Sequence, residues 1–192
     1  MSMVRSLKIA ALIFTVLLSA SVASAQPRNG ILEVRVKDDR EAIGDFSQVD
    51  LVVEMISISP KVGPFFWRVG WKDLKPSLER IDLTKYVQQA GVQARQATIF
   101  TGGFAPGAFE AIHLKLKGAE GILKKDQSRP AIKNMVGPIG LPFTIKPKET
   151  TLIVLDLTVM DMSDHPPRGY ELQLIGYELY NNGKLVDKIP PG

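Results

Sequence analysis

The 192-residue chain has no cysteine and only two histidines, His113 and His165. The missing cysteine excludes disulfides, thiolate metal ligation, thiol nucleophiles and cysteine lipidation together. Two imidazoles are too few for a metal centre built on several histidines. Clustered positive charge is also lacking, since Lys124-Lys125 is the only adjacent basic pair. A nucleic-acid face needs a basic patch, usually with stacking aromatics, so nucleic acid is not an expected partner. No G-x-S-x-G turn, P-loop lysine or D-x-[DN]-x-[DN]-G calcium loop occurs. The composition is otherwise ordinary: 45% hydrophobic against 23% charged residues is enough apolar material for a packed core.

Long hydrophobic runs are nearly absent too. The one that exists, Ile9 to Ser19, has 11 residues, well short of the roughly 20 that span a bilayer. It follows Arg5 and Lys8 and precedes Ala23-Ser24-Ala25, an A-x-A cleavage site ahead of Gln26. That is the layout of a secretory signal peptide over residues 1–25. It predicts an exported protein, periplasmic or secreted, with no stable membrane span after cleavage. Loss of Arg5 and Lys8 leaves 22 basic against 20 acidic residues, so the net charge falls from +4 to +2. The basic character of the whole chain is therefore no argument for an anionic partner.

From Asn29 onward the dominant period is two, in short segments punctuated by glycine and proline. Ile31 to Lys37 places Leu32, Val34 and Val36 on one face and Glu33, Arg35 and Lys37 on the other. Val49 to Ile58 groups Val49, Leu51, Val53 and Met55. Phe65 to Val69 reads as a short aromatic strand. Phe109 to Lys117 turns Ile112, Leu114 and Leu116 inward and His113 and Lys115 outward. Thr151 to Met160 buries Ile153, Leu155, Leu157 and Val159. Tyr170 to Tyr180 changes phase, which predicts a β-bulge at Ile175-Gly176. Asn181-Asn182-Gly183 predicts a tight turn into a last short strand. Leu83 to Ala90 is the only helical stretch, two turns at most, with Thr84 as N-cap and Gly91 as C-cap. The fold class is all-β: a single antiparallel β-sandwich, prealbumin- or immunoglobulin-like, over residues 26–192, with at most one short helix.

The order of these strands resembles a family of exported prokaryotic proteins defined as a domain of unknown function, with a prealbumin-like (transthyretin-like) sandwich. Asn29 to Asp38 is similar to that family's opening G-x-L-x-V-x-V-x-D strand. Val49 to Ile58 resembles its second strand, and Ile81-Asp82-Leu83 its "DL" segment. Phe104 to Leu114 resembles its P-A-G-x-Y-x-x-I-R-L stretch, with Phe109 at the tyrosine position. Phe143-Thr144-Ile145 and Thr151 to Asp156 resemble its closing strands. The likeness covers about residues 29–180, departs at Asp39-Arg40 where the family often has Ala-Pro, and implies no reaction and no catalytic residue.

Two groups are candidate sites. Asp156, Asp161, Asp164 and His165 form the densest cluster of cation ligands by type. Alternation sets Asp156 on the strand face opposite Leu155 and Leu157, while the others fall in a turn before Pro166-Pro167. The favoured reading is a solvated loop; the rival is a metal- or small-ligand-binding site using residues 156–165, possibly hydrolytic. Ser163-Asp164-His165 holds the letters of a triad, but adjacent loop residues do not converge as a triad must. Phe65, Phe66, Trp67 and Trp71 are the only aromatic concentration. Burial of tryptophan favours a hydrophobic cap; the alternative is a recognition surface of Phe65, Trp67 and Trp71. The inventory as a whole predicts no enzyme, no cofactor and no metal. It predicts an exported protein that binds or scaffolds, with a protein or glycan partner in the cell envelope or outside the cell.

Overall fold

A computed structural model describes residues 29–38, 42–61, 70–87, 95–164 and 169–189. The expected leader over residues 1–25 lies outside the described residues, as does the aromatic strand Phe65 to Val69. Eleven strands follow in chain order: β1 (Gly30–Asp38), β2 (Phe46–Pro60), β3 (Lys72–Leu74), β4 (Arg80–Asp82), β5 (Ala97–Phe104), β6 (Gly107–Leu123), β7 (Ala131–Asn134), β8 (Ile139–Ile145), β9 (Thr150–Asp161), β10 (Tyr170–Asn181) and β11 (Lys184–Ile189).

All eleven belong to one sheet, whose main path runs β3-β2-β6-β7-β10-β9-β1-β5, with β4 on β2, β8 on β6 and β11 on β10. The sheet curls into a near-barrel. Its two ends meet through the segment before β4, where Ser77 N donates to Ile99 O at 2.9 Å and Val53 N donates to Glu79 O at 2.8 Å. The all-β expectation holds. A purely antiparallel sheet does not, because β1 pairs with β9 in parallel over eight rungs and β7 pairs with β10 in parallel. β1 and β9 are far apart in sequence, so no tight turn constrained their mutual direction.

Inside lie Leu32, Val34 and Val36 of β1, Leu51 and Ile56 of β2, Ile112 and Leu114 of β6, and Ile153, Leu155, Leu157 and Val159 of β9. Phe46 packs edge-on to Tyr170, and a Cβ added at Gly121 would fall 2.4 Å from the Phe46 ring, so only glycine fits opposite that aromatic. The bulge in β10 sits where the phase change placed it: Leu174 pairs with Leu157, and Gly176 is the next residue paired, with Asp156. Asn182 (φ 49°) and Gly183 (φ 76°) make the two-residue turn into β11, both in the left-handed region that hairpin turns demand.

Two local expectations are corrected. β2 also slips, between Val53 and Met55, so Ile56 and Ile58 enter the core and Met55 is only half-buried. The helix of Leu83 to Ala90 is a single 3-10 turn, Leu83–Tyr86. Its cap is Asp82, not Thr84: the Asp82 carboxylate accepts from Thr84 N at 3.2 Å and Thr84 Oγ1 at 2.7 Å. The chain is extended again at Val87, which bridges to Asp38; Ala90 and Gly91 lie outside the described residues.

Candidate functional site

Ile56 and Ile58 point inward from β2, so Ser57 between them points outward; the same alternation on β6 turns His113 outward between Ile112 and Leu114. Register then places Ser57 directly opposite Asp73 of β3 on one side and His113 on the other. One rung thus carries carboxylate, hydroxyl and imidazole across three strands. Ser57 Oγ donates to Asp73 Oδ1 at 2.5 Å, and Lys115 Nζ lies 3.5 Å from the same oxygen. The indole of Trp71, just before β3, stands edge-on to the His113 imidazole with centroids 6.3 Å apart. Ser57 is fully buried beneath this group, whereas Trp71 is 44% exposed.

The electrostatics follow from the geometry. The Ser57 hydrogen bond, aided by the Lys115 ammonium, holds the Asp73 carboxyl below the usual range. Burial, with Lys115 nearby, lowers the affinity of His113 for a proton, so the imidazole is neutral at pH 7. Lys72 is turned away, with its ammonium 5.8 Å from the Phe104 ring centroid and 6.0 Å from that of Phe109. The rung has the residue types of a hydrolytic triad in the wrong order. Its serine occupies the middle and donates its hydrogen bond to Asp73, and a fully buried hydroxyl meets no substrate. What the group can do is bind, through an exposed indole flanked by an acceptor and two donors.

Trp71 is therefore not the buried cap that tryptophan's usual burial favours. Phe65 and Trp67, the other members of that expected surface, lie outside the described residues. Sequence reading left Ser57 and Asp73 unremarked and took His113 for an ordinary surface residue. The one available signal was Ser57 itself, an outward polar residue between two inward isoleucines.

Asp156 requires the largest correction. It points away from Leu155 and Leu157 as expected, but its face is closed: Val154, Asp156 and Thr158 are all 2% exposed or less. Lys37, expected outward with Glu33 and Arg35, is buried beside it. Lys37 Nζ lies 3.0 Å from Asp156 Oδ2 and 3.2 Å from Glu178 Oε1. Tyr180 donates to Glu178 Oε2 at 2.6 Å, and Lys188 Nζ stands 3.5 Å from Glu178 Oε1. Burial favours neutral Lys37, but Asp156 and Glu178 together outweigh it and raise the pKa of the ammonium. Burial likewise opposes ionisation of Glu178, and Tyr180, Lys37 and Lys188 reverse that, leaving its carboxyl below the usual range. A lysine held charged in this way is neither a nucleophile nor a general base.

The remaining members of the acidic cluster do not join Asp156. Five residues of strand, about 16 Å, separate it from Asp161. Asp161 is exposed and accepts from Ser163 N at 2.8 Å and from the Ser163 hydroxyl, an ordinary turn closure. Asp164 is exposed, and His165 lies outside the described residues. Among the described residues no three His, Cys, Asp or Glu side chains come together in a way that could hold a metal ion. A groove of about 580 Å³ further along β2 and β6 is lined by Asp50, Arg80, Glu120 and Arg129, with Arg80 Nη1 3.0 Å from Asp50 Oδ2, and no aromatic reaches it.

Comparison of the chain with protein-family models, with curated proteins and with solved structures finds no match.

Proposed function

We propose that this chain is an exported, non-enzymatic β-protein that acts by binding, and that its recognition surface is the outer face of β2, β3 and β6 around Trp71. The observation that carries the reading is the exposed indole of Trp71 beside a fixed rung of Asp73, Ser57 and His113. Export rests on the leader layout of residues 1–25, and the periplasm or the extracellular space follows from it. The absence of catalysis rests on chemistry: Ser57 is buried with its hydroxyl donating to Asp73, and Lys37 is locked in an ion pair. The likeness of Asn29 to Asp38 and Phe104 to Leu114 to the exported domain family supports reading the curled sheet as a prealbumin-like sandwich whose two layers have fused at one edge.

The test is capture from the native envelope fraction by the exported protein, run beside Trp71→Ala. A component retained by wild type and lost by the variant is the expected result. Equal capture by both would remove the surface from consideration. Intact mass of the exported protein should place its first residue at Gln26; retention of residues 1–25 would remove the export reading.

A further inference from the structure

We propose that the Trp71 surface takes a neutral saccharide, its apolar C–H face on the indole and its hydroxyl rim against Asp73 and Lys115. The inference rests on the binding reading above and names the ligand class for that same site. Three features of the surface lead to it.

The first is the setting of the aromatic. Among the described residues the exposed large hydrophobics are Ile31, Trp71, Leu78, Met135, Leu185, Val186 and Ile189, and none of the others lies on β2, β3 or β6. A protein hot spot sets its aromatic anchor in a desolvated, tightly packed pocket. Trp71 has instead a polar border, which suits a ligand with one apolar face and a polar rim. The indole's π face is electron-rich and attracts the C–H groups of a pyranose.

The second feature is charge balance. Asp73 and Lys115 stand 3.5 Å apart and cancel, and the neighbouring His113 is neutral at pH 7. Lys72 is drawn toward Phe104. On the rung itself the charges are paired, so neither an anionic nor a cationic group is selected there. A carboxylate acceptor beside an ammonium donor is what vicinal hydroxyls need, since each hydroxyl both donates and accepts.

The third is preorganisation. Ser57 donates its hydroxyl hydrogen bond to Asp73 Oδ1, and strand register fixes both residues, so the acceptor is held before any ligand arrives. Fixed polar groups lose little freedom on binding, which matters for a small ligand with few contacts. The floor beside them is built of small residues, Ser57, Ser59 and Ala111, on adjacent rungs of β2 and β6, with the Glu110 carboxylate accepting from Ser59 Oγ at 3.3 Å.

The experiment uses the exported protein with maltohexaose, cellohexaose and N-acetylchitohexaose as probes. Calorimetry is run on wild type. Fluorescence is run on Trp67→Phe, in which Trp71 is the sole remaining tryptophan of the two in the chain. The expected result is saturable binding of at least one probe at or below roughly millimolar concentration. Trp71→Ala should weaken it at least about tenfold, Asp73→Asn should weaken it severalfold, and Trp71→Phe should keep part of it. Affinity should hold at high salt, where an ionic contact would be screened. Melting temperatures of the variants matching wild type would show that folding is not the cause. Two results would overturn the proposal: no saturable binding of any probe up to about 10 mM, or binding that Trp71→Ala leaves intact. If no probe binds while Trp71→Ala still loses an envelope component, the saccharide falls and the binding surface stands.

Discussion

Two polar patches decorate the outer side of the same sheet, and burial divides them. On β1, β9 and β10 the Lys37–Asp156–Glu178 group is closed off, with the Lys37 and Asp156 side chains at most 5% exposed. On β2, β3 and β6 the Asp73–Lys115 pair is open, at 52% and 38%. The same ionic chemistry serves two ends. A closed pair in low dielectric is expensive to disturb and fixes register across strands, whereas an open pair adds little to stability and stays accessible to a ligand. The closed patch belongs to the fold, and the open one is the surface proposed for recognition.

The sharpest way to break that division is Lys37→Met. It removes the cation facing Asp156 and Glu178 and should cost roughly 3–5 kcal/mol, or on the order of 10 °C in melting temperature for a domain of this size. Thermal or urea melts read it directly. The double variant Lys37→Met/Asp156→Leu should recover part of the loss, because matched apolar groups replace a buried pair at small cost. A Lys37→Met protein as stable as wild type would show that the closed patch is not structural.

The pH profile sharpens the same point. Glu178 has its folded-state pKa below the ordinary value of 4.5, so its contribution is present above that pH and lost as pH falls through the folded pKa. Lys37 is raised above 10.5, so its contribution is present below that pH and lost as pH rises past it. Wild type should therefore hold a plateau from about pH 7 to 10, lose a little as pH falls through 6.5, because the folded state disfavours protonated His113, and lose more at both extremes. Lys37→Met should lose the share of the alkaline fall that Lys37 supplies and keep the share of Tyr170, Tyr177 and Tyr180, whose hydroxyls are also held above their ordinary value of 10, Tyr177 at about 12. An unchanged alkaline limb in the variant would assign that limb to other groups.

What was legible in the sequence follows the range of each interaction. Leu32, Val34 and Val36 announce an inward face by alternation alone, and Gly176 and Asn182-Gly183 announce a bulge and a turn within a few residues. Asp156 was misplaced because alternation tells which face a residue takes and not whether water reaches that face. β9 lies between β1 and β10, and its far side is covered, so its outward residues are as dry as its core. The partner that makes this tolerable, Glu178 with Lys37, is 141 residues from that lysine. The Asp73–Ser57–His113 rung was hidden for the same reason: each residue is unremarkable until β2 pairs with β3 and β6. Trp71 was named as a candidate from composition, but its exposure depends on where a three-residue strand docks.

In the open patch the expected effects are smaller. Ser57→Ala removes a buried hydroxyl whose acceptor is half in water and can be resolvated, so it should cost about 1 kcal/mol. By NMR the Asp73 carboxyl should titrate nearer its ordinary value once that bond is gone. Trp71→Ala and Asp73→Asn should fall within about 0.5 kcal/mol of wild type. A loss of several kcal/mol from Trp71→Ala would show that the indole holds the fold together, and the contrast between the patches would collapse.

The smallest expected effect is that of a chelator, and it tests the one rival that would join the closed patch to a ligand site. A cation held by residues 156–165 needs Asp156 and Asp161 to converge, and it must neutralise carboxylates that otherwise repel. Asp156 already has the Lys37 ammonium at 3.0 Å, and Asp161 is satisfied by the amide and hydroxyl of Ser163. Each carboxylate already has a protein partner, and a strand length of about 16 Å keeps them apart. EDTA should therefore shift the melting temperature by no more than about a degree or two, a fraction of 1 kcal/mol for this size of domain. A large chelator-induced loss, restored by one particular metal and abolished by Asp161→Ala, would instead show that this loop gathers ligands when a cation is present. That result would make the acidic turn a functional site in its own right and end the assignment of recognition to the Trp71 face alone.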